Sequence, residues 1–96
     1  MSFIEAKFVA ETEFLLIPQP GPSADAEELY RAGLAWSTGH GAPYDLVHAH
    51  KWMNLAASRG NPDARLARTE LAELMTSAQI AEAQREARAW LKAGMN

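Results

Sequence analysis

LYRAGLAWSTGHGAPYDLVHAHKWMNLAASRGNPDA, residues 29–64, is the stretch that decides the fold. Leu29, Gly33 and Trp36 recur at steps of four and three, which puts them on one helical face. Gly33 costs roughly 1 kcal/mol in a helix interior relative to alanine, so it predicts close approach by a neighbouring helix. Gly39 is placed to end this first helix in the left-handed conformation. Gly41, Ala42 and Pro43 form a bend, and Asp45 is the N-cap candidate for a second helix from about Leu46 to Arg59. Its buried face is expected at Leu46, Ala49, Trp52 or Met53, and Ala56, with small Ala49 and Ala56 able to face Gly33. Gly60 closes it, and Asn61-Pro62 opens a third helix as N-cap and first residue.

The spacing of Gly33, Trp36, Gly39, Gly41, Asp45, Ala49, Trp52, Ala56, Ala57, Gly60 and Ala64 resembles the Sel-one-like repeat family, relatives of the tetratricopeptide repeats. The chain departs from that pattern at Ala32, Ala42 and Met53, all still apolar. The resemblance implies an all-α fold: antiparallel helix pairs of a short α-solenoid, about four helices here, acting as an adaptor or scaffold. The family pattern is made of structural residues and carries no catalytic residue to transfer.

Outward from the repeat, the first helix begins near Ser23 to Asp25, where Asp25 and Glu28 have capping-box spacing, and ends at about Thr38. Beyond it, Ala64, Ala67, Leu71 and Leu74 make a helical stripe flanked by Leu66 and Met75. Thr76 and Gln79 form a second capping box, which predicts a fourth helix over residues 77–93, ended by Gly94. Its stripe is Ile80, Ala83, Ala87 and Leu91, with Trp90 beside it. No second copy of the repeat follows, so residues 62–93 are expected to be a capping helix pair, with Glu82, Gln84, Arg85, Glu86 and Arg88 on its polar face. Its wording, LAELMTSAQIAEAQ, looks similar to the tail of many bacterial members of the family. The chain thus divides into an arm and linker, 1–22, and a helical domain, 23–96.

The arm is ambiguous. Ile4 to Leu16 alternates well enough for an extended, β-like segment with one buried face; a helix through Ile4, Phe8 and Leu15, or disorder, also fits. Phe14 to Ile17 is an apolar run that needs a docking place. Pro18, Pro20, Gly21 and Pro22 then break any helix.

Composition excludes several classes. Ninety-six residues make one domain, long enough to bury roughly 60–65% of the unfolded surface. With no cysteine there is no disulfide framework, and the expectation is a reducing, cytoplasmic location. A net charge of −3 argues against nucleic acid, and no apolar run is long enough to span a membrane. Residues 1–28 hold six acids and one lysine, whereas the remainder holds six acids and eight basic groups.

No reaction is legible. His48 and His50 lie two apart on a helix and cannot chelate one metal together, and His40 is in the loop, so no metal and no cofactor is expected. Glu70 with Glu73, and Glu82 with Glu86, are carboxylates at surface spacing, and Ser37, Ser58 and Ser77 lack a nucleophile elbow. Gly39-His40-Gly41 lacks the Lys-Ser/Thr of a phosphate loop. The chain is therefore expected to be non-enzymatic, and the resemblance implies that it binds another protein. The binding candidates are Tyr30, Ser37, His50, Lys51, Asn54, Arg65 and Arg68, with the arginines and Lys51 suited to an acidic or carboxylate-ended peptide. The alternative is a self-associating unit, an arm-exchanged homodimer or a stacked repeat.

Overall fold

A computed structural model describes residues 17–95. The reading of residues 1–16 as strand, helix or disorder lies outside them. Among the described residues there are four helices and no strand: α1 (Ala26–Thr38), α2 (Leu46–Ser58), α3 (Pro62–Glu73) and α4 (Ser77–Ala93). The described residues are all-α, as expected.

Local signals set the boundaries. Asp25, Asp45 and Asn61 each accept a hydrogen bond from the backbone N–H three residues on, satisfying a donor that the first turn leaves orphaned. Thr76 and Gln79 close the reciprocal capping box of α4. Such caps are worth about 1 kcal/mol each. α1 stops at Gly39, whose φ of 78° is cheap only for glycine, and the Gly39 N–H returns to the Ala35 carbonyl.

α2 is the centre of the molecule. α1, α3 and α4 all pack against it, and α3 and α4 lie closer to α2 than to each other. The two helices of residues 62–93 thus both cover α2. α1 and α2 are antiparallel, since Arg59 after the end of α2 donates to the Ala24 carbonyl just before α1. α4 runs parallel to α2: Trp90, late in α4, meets Trp52 edge-on at 6.0 Å and lies under the Arg59 guanidinium. The core holds Leu29, Met53 and Leu55 as its largest fully buried side chains, with Ala32, Ala49, Ala56, Ala64 and Ala87 letting the backbones approach.

Two details differ from the sequence expectation. The neighbour that fills the gap at Gly33 is Met53, not Ala49 or Ala56: a Cβ on Gly33 would stand 2.8 Å from Met53 Sδ. The linker is also part of the folded unit. Ile17 is buried with Ala35 and Ala42 against Trp36, which gives the end of the apolar run its docking place. Further along, the Pro20 carbonyl accepts from Trp90 Nε1 at 3.1 Å, and the Pro22 and Ala24 carbonyls accept from Arg59. Three interrupting prolines cannot donate to a helix, but their carbonyls remain available to strap α4 and α2 together.

Candidate functional site

The remaining polar and exposed apolar side chains gather in two places. The first is the outer end of α1 and α2. Trp36 stacks on His48 with ring centroids 4.2 Å apart, and Asp45 Oδ1 lies 3.3 Å from His48 Nδ1. Asp45 is thus an acidic neighbour of His48, a pairing that the i, i+3 spacing carried and the histidine reading overlooked. Burial raises the Asp45 carboxyl, but the hydrogen bond it accepts from the His48 backbone N–H and the neighbouring imidazole outweigh burial and hold the carboxyl below its usual value. The bond from the His48 N–H makes Asp45 the helix cap. Among the described residues, no group of three or more His, Asp or Glu side chains is placed to hold a metal ion.

The second place is a groove of about 400 Å³ between α1 and α3. Tyr30, Leu34 and Ser37 line it from α1; Asp63, Leu66, Ala67, Glu70 and Leu71 line it from α3, with Leu74 at its end. Met53 of α2 forms the floor together with Leu71. The periodicity of both helices builds it: Tyr30, Leu34 and Ser37 are at i, i+4, i+7, and Asp63, Leu66, Glu70 and Leu74 follow the same rule. Three leucines remain open to solvent here, Leu34 at 38%, Leu66 at 61% and Leu74 at 67%. They gather at one concavity, and a clustered apolar surface carries more meaning than scattered single side chains.

The candidate binding residues separate accordingly. Tyr30 and Ser37 line the groove, as expected. His50 does not: it is 4% exposed and buried inside α2's packing. Its Nδ1 has no hydrogen-bond partner, and burial, aided by the nearby Arg68 charge, pushes its pKa below 6.5. Arg68 is turned away from the groove and donates to Asn54 Oδ1 at 2.8 Å, so neither Arg68 nor Asn54 is a groove residue. Lys51 Nζ sits 4.4 Å over the Trp52 ring. Arg65 is exposed but on another face of α3. The expected basic lining is thus replaced by two carboxylates, Asp63 and Glu70. The leucines were missed as groove residues because Leu74 continues the stripe of Ala64, Ala67 and Leu71 and reads as core. Leu91, assigned to the α4 stripe, is likewise exposed. Of the tryptophans, Trp52 is buried; Trp36 and Trp90 are half-buried and already engaged, by His48 and by the linker carbonyl.

His50 gives a pH prediction. Its pKa is depressed in the folded state, so the unfolded chain binds the proton more readily below about 6.5. The stability it contributes is complete above the unfolded value and is lost as pH falls toward the folded one. Urea midpoints are expected to drop between pH 7.5 and 5, and His50→Gln should flatten that drop. An unchanged slope in the variant would contradict a buried neutral imidazole.

Comparison with protein-family models, with curated proteins and with solved structures found no match. The residues at the repeat-like spacing have structural duties in this fold. Gly33 admits Met53, Gly39, Gly41 and Gly60 take positive φ, Asp45 caps α2, and Ala49, Ala56 and Ala64 are fully buried while Trp52 and Ala57 are nearly so. No helix among the described residues is long and apolar enough to cross a membrane.

Proposed function

We propose that the chain is a small non-enzymatic docking module of Sel-one-like type, working as an adaptor whose α1–α3 groove receives a segment of another protein. The observation that carries this is the trio Leu34, Leu66 and Leu74, held open around a floor of Met53 and Leu71. Leaving three leucines in water forgoes a burial gain of about 1–2 kcal/mol for each side chain, which a bound partner recovers. The same exposed leucines also favour a second reading, self-association through this groove.

Charged replacements at exposed positions separate binding from folding. Leu66→Glu with Leu74→Glu is expected to lower the unfolding free energy by about 1 kcal/mol, because both side chains are already largely solvated and the main cost is repulsion from Glu70 and Asp63. Affinity capture from native lysate with the wild-type chain should retain specific proteins that the double variant loses. Sedimentation of both chains reads self-association in parallel. Identical captured sets from the two chains, with both monomeric, would remove the groove from the account.

A further inference from the structure

The groove is not electrically neutral, and its charge narrows what can occupy it; this inference rests on the docking reading above. Along α3 carboxylates and leucines alternate, Asp63, Leu66, Glu70, Leu74, so each apolar station is bordered by a negative one. Among the described residues, neither Asp63 nor Glu70 has a salt-bridge partner. Of the basic side chains on α3, Arg68 is bound to Asn54 and Arg65 lies outside the groove lining; on α1, Arg31 is paired with Glu27 at 3.2 Å. Glu73, one helical turn on from Glu70, is also exposed and adds to the same sign. Tyr30 and Ser37 supply the facing polar groups from α1.

We propose that the occupant is a basic amphipathic segment of another protein, with two or three apolar side chains entering between Leu34, Leu66 and Leu74 and with Lys or Arg reaching Asp63 and Glu70. From Asp63 to Leu74 the α3 wall runs about 16 Å, which a helix of about eleven residues or an extended strand of about five spans. The apolar stations give the affinity, and the carboxylates choose the sign of the partner and its register. The chain's own first sixteen residues are an unfavourable occupant, since they carry Glu5, Glu11 and Glu13 against one lysine, Lys7. In a second copy, one surface of matching chemistry is α4, where Arg88 and Lys92 are exposed near Leu91.

The test is selection of peptides about twelve residues long from a random displayed library, using the full chain as bait. Leu66→Glu and the isosteric pair Asp63→Asn with Glu70→Gln serve as counter-baits. Both carboxylates are exposed, so the neutral pair keeps the fold even where Leu66→Glu does not. The expected winners combine apolar residues with net positive charge. Their synthetic copies should bind the neutral pair roughly tenfold more weakly, the effect of two exposed charge pairs, and should weaken with salt. They should fail on Leu66→Glu. Neutral or acidic winners that still fail on Leu66→Glu would leave the groove as a docking surface and overturn the charge assignment. Winners that bind Leu66→Glu equally, or no enrichment at all, would overturn both. Concentration-dependent dimerisation of the wild type, abolished by Leu66→Glu, would assign the groove to a second copy and overturn the proposal.

Discussion

Trp52→Ala is expected to lower the unfolding free energy by about 3–5 kcal/mol, the largest loss from a single side chain in this protein. Trp52 is 5% exposed on the helix that the other three cover. Its ring meets Trp90 nearly perpendicular, at 85°, and carries the Lys51 ammonium on its face. Truncation would open a large void, strip the edge contact from Trp90, and free the end of α4 that Trp90 ties to the Pro20 carbonyl. A chain of this size has a total stability of about 5–15 kcal/mol, so the variant would stand near its unfolding threshold. Urea denaturation checks it. Trp52→Phe should be much milder, since Trp52 Nε1 makes no hydrogen bond to lose. A loss below about 1 kcal/mol for the alanine variant would contradict α2 as the structural centre.

The second large effect is expected at Gly33. Gly33→Ala gains up to about 1 kcal/mol of helix propensity, but its Cβ pushes on a Met53 side chain that is fully buried, so the two effects nearly cancel. Gly33→Leu leaves Met53 nowhere to go and should cost about 3 kcal/mol. Met53→Ala alone should cost about 2–5 kcal/mol through the cavity it leaves. Combined, the leucine occupies the vacated space, and the double variant should be more stable than the sum of the singles by at least about 1 kcal/mol. Additive losses would mean that Gly33 and Met53 do not share one volume.

These sites also show where sequence reading reaches and where it stops. The starts of α3 and α4 were legible because Asn61-Pro62 and Thr76–Gln79 are local signals, decided by hydrogen bonds three residues apart. That Gly33 marked a close approach was equally local. Which neighbour approached was not, because Ala49, Met53 and Ala56 share one stripe and the choice depends on how the helices cross. His50 was misplaced for a related reason. A one-sided stripe on α2 leaves it at a surface, but α2 is apolar almost all round, at Val47, Ala49, Trp52, Met53, Leu55, Ala56 and Ala57, and such a helix is covered from several sides. That composition was the available signal. The groove turned on the rotation of α3, which sends Arg68 to Asn54 and leaves Asp63 and Glu70 facing α1. A heptad-like leucine stripe cannot distinguish a leucine that packs, Leu71, from one left open to solvent, Leu74.

The most direct test of the groove is hydrogen–deuterium exchange of the full chain with and without a partner or peptide that it captures. Slowed exchange is expected within α1 from Tyr30 to Ser37 and along α3 from Asp63 to Leu74, with α4 from Ser77 to Ala93 unchanged. Protection centred on α4 or on the Gly39–Asp45 loop, with α1 and α3 unaffected, would contradict the account.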